Sequence, residues 1–509
     1  KKVRILFAED HRMNVRERIV MQEEQAKAPG TEAAAGAESS VAQEPVKKHH
    51  GFTGKIGFVL AAAGSAVGLG NLWRFPYLAA KYGGGIFILC YIILAATVGI
   101  TLLMLEIAIG RKTGKGVLGA FAALNKKFKW LGFLCLAVPI IIVPYYCVIG
   151  GWVVKYIVAF FGGAAGLVGS PGSVDTGAYF NTFIADPWQP LIFFLIFAAA
   201  TIFVVVFGVQ KGIERISKVL MPLLAAISIF LMIYVLCQDG ALEGVAYLFT
   251  PDFSKFSYET LLAALGQLFY SLSLAMGIMI TYGSYMKKEV SVSKSSLQIA
   301  ICDSAFAIVA ATIIIPSIFA FSASPDAAQD ALGTSGPSLM FVQLPAVFNN
   351  LPGGRWIGAV FFILVFFAAL TSSISLVEAI VAVLRENLHL KRWVACVVVF
   401  GIVLVLGVLS SLGFGVLSGV KLELPSGSAY QILDIFDYLA NSILMPVVAI
   451  LTCILAGYFI DKNLIPDEIG LKKQSSRAYF RIMVRYIAPV CMAIILISGI
   501  VFNLILPPL

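Results

Sequence analysis

Residues 64–76 read Gly-Ser-Ala-Val-Gly-Leu-Gly-Asn-Leu-Trp-Arg-Phe-Pro and lie inside an otherwise apolar stretch. Three glycines and a proline in a segment of membrane length predict a helix that is broken near its middle. Lipid cannot satisfy the backbone N–H and C=O groups that such a break frees, so they must face protein, water or a ligand. Because freed carbonyls can hold a cation and a freed helix N-terminus can hold an anion, the stretch predicts a binding site within the membrane.

The composition of the whole chain is that of a membrane protein. It has 509 residues, of which 59% are hydrophobic and 13% are charged, a balance outside the range of soluble domains. Eleven apolar segments reach the roughly 20 residues that cross a bilayer. They are centred near 55–80, 86–109, 132–160, 189–207, 213–237, 261–286, 293–321, 355–387, 393–412, 430–460 and 480–506.

The basic residues are distributed unevenly between the loops. If the eleven segments alternate between the two sides, 24 Lys and Arg residues fall on one side and six on the other. The positive-inside rule makes the first side cytoplasmic, so we expect a cytoplasmic N-terminus and an extracytoplasmic C-terminus. The net charge of +9 is then a consequence of membrane orientation, and we expect no nucleic-acid partner.

Catalytic and metal-binding motifs are missing from the sequence. The four histidines lie away from the middle of the apolar segments, and there is no Ser-His-Asp, His-Glu-x-x-His or glycine-rich phosphate motif. The eight cysteines show no Cys-x-x-Cys spacing, which disfavours a zinc site or a disulfide scaffold. We therefore expect that the protein is not an enzyme and has no organic cofactor.

A second polar interruption lies in the sixth apolar segment, which reads Tyr-Ser-Leu-Ser-Leu-Ala-Met-Gly at 270–277. Two interrupted segments at corresponding places in two halves of a chain point to a transporter's binding site. With Val-Pro-Tyr-Tyr-Cys-Val-Ile-Gly-Gly-Trp at 143–152 and Leu-Thr-Ser-Ser-Ile-Ser at 370–375, these motifs resemble the neurotransmitter:sodium symporter family. The resemblance is to its bacterial amino-acid transporter branch with eleven spans.

The resemblance covers residues 47–509 and implies the fold. It implies an all-α integral membrane protein of the LeuT type, with eleven transmembrane helices in a 5+5 inverted repeat and helices 1 and 6 broken at mid-membrane. Repeat one would occupy about 52–237, repeat two about 258–460, and the eleventh helix about 480–506. Residues 1–46 are polar, and we expect them to be disordered, with no role assigned. The outer segments 162–188, 238–260 and 322–354 are expected to form short helices over a vestibule.

The substrate class follows from Gly68. Family members that carry biogenic amines have an aspartate at this position, so a substrate of this chain must bring its own carboxylate, as an amino acid does. The resemblance implies that the Tyr146 hydroxyl binds this carboxylate and that the partly apolar pocket takes a neutral, mostly apolar L-amino acid. The implied substrate-binding residues are Ser65, Ala66, Gly68, Leu69, Gly70, Tyr146, Tyr270, Ser271, Ser273, Met276, Ser372 and Leu376.

Two sodium sites are implied by the same resemblance. The first would comprise Ala66, Asn71, Ser271 and Asp303, and the second Gly64, Val67, Ala368, Thr371 and Ser372. An acid inside a membrane span is costly and is functional by default. Asp303 and the substrate carboxylate would balance two sodium ions, so we expect no need for chloride. For the hydroxyl run at 370–375 there is a second interpretation, because serines in membrane helices commonly bond to their own backbone.

The gates are also assigned by resemblance. Arg74 would pair with Asp437, or alternatively Asp434, above the substrate. On the inner side Glu386 would pair with a basic residue near His49, with Phe52 as a wedge and Tyr285 in the same network. Two further motifs are implied: Glu106 would accept hydrogen bonds from the unwound backbone, and the Gly212–Pro222 spacing would let the fifth helix unwind to admit water.

The sequence thus predicts a sodium-coupled symporter that imports its substrate by alternating access across a bacterial inner membrane. The alternatives are a proton-coupled amino-acid transporter and a substrate-sensing membrane receptor of the same fold. The expected partners are the amino acid and the lipid bilayer, and the sequence makes no prediction about oligomeric state.

Overall fold

A computed structural model describes residues 51–163, 175–322, 324–333, 337–423 and 429–504, and it is almost wholly helical over that part of the chain. The predicted N-terminal segment 1–46, and with it Lys47, Lys48 and His49, lies outside the described residues.

The helices in chain order are α1 (Lys55–Ala66), α2 (Gly70–Lys81), α3 (Gly85–Thr113), α4 (Val117–Leu124), α5 (Lys126–Gly162), α6 (Thr176–Ala185), α7 (Gln189–Val206), α8 (Val209–Leu236), α9 (Ala241–Phe249), α10 (Tyr258–Ser271), α11 (Ile278–Ser284), α12 (Val292–Phe321), α13 (Pro325–Gly333), α14 (Leu344–Asn350), α15 (Gly354–Asn387), α16 (Arg392–Leu412), α17 (Ile432–Phe459), α18 (Leu464–Ile469) and α19 (Gln474–Val501). A short hairpin pairs β1 (Leu422–Glu423) antiparallel to β2 (Ala429–Tyr430), with Leu422 opposite Tyr430.

Nine helices in the described part of the chain are long and apolar enough to cross a membrane. The helices α1 and α2 together form a tenth span, bent by 53° at the break that the glycine-rich stretch predicts. Counting α10 and α11, which flank the second interruption, as one further span would give eleven, and that number stays a prediction. The last helix begins at Gln474, six residues before the predicted boundary, because its first turns are polar and extend beyond the apolar segment.

The centre of the bundle is formed around α15, which is mostly buried and packs most extensively against α5. Both broken pairs lie beside it: α1 packs against α15 and α12, and α11 packs against α3 and α15. The helices α8 and α19 are mostly exposed and lie at the periphery. The two breaks are therefore brought together where helices surround them on several sides.

Short helices lie in each of the three outer segments, as predicted: α6 in 162–188, α9 in 238–260, and α13 and α14 in 322–354. We refer to the opposite end of the bundle as the basic face; it carries Arg111, Lys288, Arg392 and Lys462, together with α18. At this end Arg111 and Lys288 both bind Glu468 of α18, which joins the loops after α11 and α17 to the end of α3.

Candidate substrate and sodium site

The first break exposes backbone groups of the three residues between α1 and α2. Val67 has extended backbone angles (φ −72°, ψ 101°), which end α1. The Gly68 N–H donates to Asn71 Oδ1 at 3.1 Å, and the Leu69 N–H donates to the Tyr146 hydroxyl at 3.5 Å. A Cβ on Gly68 would lie 2.7 Å from Ser372 Oγ and 3.2 Å from the Tyr146 hydroxyl oxygen. The backbone at Gly68 therefore lies too close to Ser372 and Tyr146 for any residue other than glycine.

The second break, between α10 and α11, contains a left-handed backbone at Ser273 (φ 53°), Ala275 (φ 59°) and Gly277 (φ 73°). Such angles cost energy in residues other than glycine and occur where the surroundings impose them. Glu106 of α3 imposes one of them, since its Oε1 accepts the Ala275 N–H at 2.7 Å. The Ser273 hydroxyl donates to the Ser65 carbonyl at 3.0 Å, which joins the two breaks.

Asp303 of α12 lies beside both breaks and is fully buried. Its Oδ1 accepts hydrogen bonds from Asn71 Nδ2 at 2.8 Å and from the Ser271 hydroxyl at 2.7 Å. Its Oδ2 accepts the Tyr91 hydroxyl at 2.9 Å. Three of the four residues predicted for the first sodium site are therefore in direct contact, and the fourth, Ala66, lies in the adjoining break.

The predicted substrate residues line one cavity with about 350 Å³ of empty space. All twelve of them face it, and Asn71 of the first predicted sodium site lines it too. The cavity lining combines the polar groups of the breaks with the apolar side chains of Met276 and Leu376.

The residues predicted for the second sodium site meet around Ser372. Its hydroxyl lies 3.5 Å from the Gly64 carbonyl, 3.4 Å from that of Val67 and 3.2 Å from that of Ala368. Thr371 contacts the same helix turn, with its hydroxyl 3.1 Å from the Ala368 carbonyl and 3.0 Å from that of Phe367. Oxygen atoms of five residues therefore come close together, which suits a hard cation. The hydroxyls of Thr371 and Ser372 also bond to carbonyls of their own helix, as serines in membrane helices commonly do.

Three residues at the site were not predicted from the sequence. Tyr91 of α3 bonds Asp303, while Ile142 and Ile278 line the cavity. Ile142 precedes Tyr146 by one helical turn, so helical spacing from Tyr146 could have identified it. Tyr91 carries no comparable signal, because its contact with Asp303 depends on how α3 packs against α12.

The predicted outer pair is not formed in this conformation. Among the ion pairs of the described residues none joins Arg74 to Asp437. The Arg74 guanidinium lies 5.8 Å from the centre of the Tyr270 ring, and Asp437 accepts Asn441 Nδ2 at 2.6 Å. Asp434, the alternative partner, caps α17 by accepting the Gln431 N–H at 3.0 Å. A cavity lined by Arg74 and Tyr270 extends outward from this point.

The basic face is closed below the site. Phe52 is buried and packs edge-on against Phe58, Tyr282 and Tyr285, with ring centres 5.4–6.3 Å apart. The neighbouring Thr53 N–H donates to Glu214 at 2.8 Å. Phe52 thus occupies the wedge position that the sequence predicts.

The other residues predicted for the inner gate have partners of several kinds. Glu386 accepts the Gly116 N–H at 2.7 Å at the start of α4, and its predicted basic partner lies outside the described residues. Tyr285 donates to Glu378 at 2.8 Å, and Glu378 also pairs with Arg392. Gly212 and Pro222 both lie within α8, which is helical throughout. The predicted unwinding of this helix is therefore not seen in the present conformation.

Comparison with known proteins identifies the family. The sequence model of the sodium:neurotransmitter symporter family matches residues 49–165 and 185–505. The chain belongs to this family. It is 35% identical over 465 residues to YhdH of Bacillus subtilis, described as an uncharacterized sodium-dependent transporter, covering 90% of this chain and 98% of that protein. It is 31% identical to an uncharacterized sodium-dependent transporter of Haemophilus influenzae, covering 89% of this chain and 98% of that protein.

The fold is similar to that of a solved family member. The crystal structure of MhsT in complex with L-phenylalanine has 37% sequence identity to this chain and a TM-score of 0.79, covering 88% of this chain and 99% of that one. The fold is therefore that of a LeuT-type transporter, as predicted. As a member of a family of sodium-dependent symporters, the protein is a multi-pass membrane transporter and not an enzyme.

Proposed function

We propose that this symporter uses sodium to import a neutral, mostly apolar L-amino acid by alternating access, without chloride. The observation that carries the proposal is the buried Asp303 carboxylate, which is bonded to Asn71 and Ser271 at the two helix breaks. A negative charge in that position, beside a cavity lined by freed backbone groups, suits a cation and an amino acid bound next to each other.

The cavity has both polar and apolar lining residues, which supports this substrate class. Gly68 lines the cavity and leaves no room for a side chain of its own, so a negative charge there would have to come from the substrate. The Tyr146 hydroxyl lines the same cavity and would donate to that carboxylate. Toward Met276, Leu376 and Ile142 the lining is apolar, and methionine adapts to different apolar shapes. The L-phenylalanine in the MhsT structure is a ligand of this kind.

We propose two sodium sites with the ligands predicted from the sequence. Ala66, Asn71, Ser271 and Asp303 would hold the first ion, with the substrate carboxylate as a shared ligand, so that each raises the affinity of the other. The oxygen atoms around Ser372 and Thr371 would hold the second ion. Two sodium ions then face two negative charges, those of Asp303 and of the substrate, and no chloride is needed for balance.

We also propose that the basic face is cytoplasmic, in a bacterial inner membrane. The support is the distribution of 24 and six basic residues between the two sides. The N-terminus would then be cytoplasmic and the C-terminus extracytoplasmic, and the cavity beyond Arg74 and Tyr270 would face the incoming substrate.

The experiment is uptake of labelled phenylalanine and leucine into proteoliposomes that contain the purified protein. Sodium, potassium and proton gradients are imposed separately, each with chloride and with gluconate as the anion. Uptake only under a sodium gradient, equal in both anions, supports the proposal. Uptake under a proton gradient alone favours the proton-coupled alternative, and binding with no uptake under any gradient favours the receptor. Competition by a panel of amino acids then ranks the substrates.

A further inference from the structure

A second cleft lies at the basic face, between the end of α17, the helix α18 and the first turns of α19. It contains about 490 Å³ of empty space and shares no residue with the substrate cavity. The charged residues in its walls are Lys462, Arg481, Arg485 and Asp461. Three cations thus face one carboxylate, which leaves an excess of two positive charges in a confined space.

The three cations are not neutralised by the protein. Among the ion pairs of the described residues none includes Lys462, Arg481 or Arg485. The other two carboxylates of this region are already paired, Asp467 with Arg477 and Glu468 with Arg111 and Lys288. Since opposite charges are normally found near cations in a cleft, this excess points to an anion that comes from outside the chain.

The two arginines are held in place by neutral contacts. Arg485 lies over the ring of Tyr458, 4.6 Å from its centre, and the Tyr458 hydroxyl donates to the Arg485 carbonyl at 3.1 Å. Arg481 donates from Nε to the Arg477 carbonyl at 3.3 Å. Their terminal guanidinium nitrogens are left for another acceptor.

The surroundings of the cleft are those of a membrane interface. Along α19 the apolar side chains Ile482, Tyr486, Val490 and Ile494 are exposed at intervals of four residues, which forms a continuous stripe leading away from the cleft. Tyr458, Phe459 and Tyr479 are exposed and lie within two residues in sequence of residues that line the cleft. Aromatic side chains favour the headgroup level of a bilayer, so the stripe would contact acyl chains and the cleft would face the headgroups.

We infer that this cleft binds the phosphate of an anionic phospholipid from the leaflet at the basic face, with the acyl chains lying along the α19 stripe. Guanidinium groups bind phosphate oxygens through paired hydrogen bonds, and basic pockets between transmembrane helices are suited to anionic headgroups. The inference requires only that the protein lies in a membrane, so it does not depend on the proposed substrate or coupling ion.

The test is lipid binding in a neutral detergent, where no bilayer surface charge contributes. Native mass spectrometry of the purified protein is titrated with phosphatidylglycerol and with phosphatidylcholine. Wild type should bind phosphatidylglycerol more tightly. The double variant Arg481→Gln/Arg485→Gln should bind phosphatidylglycerol about thirtyfold more weakly, since each of the two basic residues contributes roughly 1 kcal/mol to binding of an anionic lipid. Arg481→Lys/Arg485→Lys keeps both charges but loses the paired guanidinium hydrogen bonds, so it should bind phosphatidylglycerol more tightly than the glutamine double variant and less tightly than wild type. Its binding also shows that the helix pair still folds.

The matched control is Lys472→Gln/Lys473→Gln. Both lysines are exposed, in the loop between α18 and α19 and outside the cleft, so the variant changes the net charge equally and should keep its affinity within about twofold. Equal losses in the two glutamine double variants, or equal wild-type affinity for the two lipids, would overturn the inference. Displacement of the lipid by millimolar inorganic phosphate would overturn it as well, because the cleft would then be a site for a soluble anion.

Discussion

The carboxylate of Asp303 accepts hydrogen bonds from residues on three other helices: Asn71 on α2, Ser271 on α10 and Tyr91 on α3. Two of these donors lie at the helix breaks, so the charge of Asp303 acts on both interrupted segments. A sodium ion entering here would replace the Asn71 and Ser271 hydrogens as the partner of Oδ1. The affinity for sodium is therefore expected to depend on this one charge.

Replacing Asp303 by Asn should raise the sodium concentration needed for half-maximal amino-acid binding by about tenfold or more, since a hydrogen-bonded charge contributes roughly 1.5–3 kcal/mol. The measurement is binding of labelled substrate to purified protein over a sodium titration, with chloride and with gluconate. Tyr91→Phe is the matched control, because it removes one hydrogen bond to Asp303 and keeps the charge, and its effect should be smaller than that of Asp303→Asn. An unchanged sodium dependence of Asp303→Asn would contradict the first sodium site.

Gly68→Ala tests the close approach at the first break. The added Cβ would lie 2.7 Å from Ser372 Oγ and 3.2 Å from the Tyr146 hydroxyl, so both side chains must move. Overpacking of this kind costs about 1–3 kcal/mol, and substrate affinity measured by equilibrium binding should fall about tenfold or more. Gly401→Ala is the control, since a Cβ there meets nothing within 4 Å and should leave affinity unchanged. Equal affinities of the two variants would exclude a carboxylate site at Gly68.

At the scale of elements, α18 is fixed to the end of α3 by one buried carboxylate. Glu468 is bound by Arg111 at 2.7 Å and by Lys288 at 2.7 Å, and Lys288 also donates to the Arg111 carbonyl at 3.2 Å. Burial alone would raise the pKa of Glu468, but the hydrogen bonds and charges of Lys288 and Arg111 hold it below its ordinary value of 4.5. The ion pairs therefore stabilise α18 against α3 while Glu468 is ionised.

Glu468→Gln should lower the free energy of unfolding of the purified protein by about 2 kcal/mol at neutral pH, and with it the melting temperature, because Arg111 is left buried without a counter-charge. A depressed pKa in the folded state stabilises the protein above the unfolded pKa and loses this effect as pH falls through the folded pKa. The wild type should thus approach the variant in melting temperature only below about pH 4. Asp467→Asn, which removes an exposed partner of Arg477, should have a much smaller effect. A constant difference between wild type and Glu468→Gln down to pH 3 would contradict this account.

The first helix break could be predicted from the sequence more fully than the second. At the first break Gly64, Gly68 and Gly70 and the following proline carry a strong local signal. At the second break the left-handed angles fall on Ser273 and Ala275 as well as on a glycine, and nothing local favours such angles in these residues. They are imposed by partners distant in sequence, Glu106 and Ser65, so only the packed structure shows them.

At the scale of the molecule, the two ends of the bundle differ. The basic face is closed by Phe52 against Tyr282 and Tyr285, while a cavity extends outward past Arg74 and Tyr270. The spans and the uneven distribution of basic residues could be predicted because they depend on composition and spacing. Which end is open could not, since the open and closed forms of a transporter share one sequence and differ by a small free energy.

Transport of two sodium ions with one zwitterion should carry two positive charges inward in each cycle. An inside-negative potential of about 60 mV then adds roughly 2.8 kcal/mol, which is about a hundredfold in the accumulation ratio of the amino acid. If Asp303 instead returned outward with a proton, only one net charge would move, and the same potential would add about tenfold. The measurement is accumulation of labelled phenylalanine in proteoliposomes with equal sodium on both sides and a potassium diffusion potential set by valinomycin. Asp303→Asn has no carboxylate there to carry the proton, so in that variant any residual transport should move two charges. Accumulation that does not change with the potential would contradict both forms of coupling, because each of them moves net charge across the membrane.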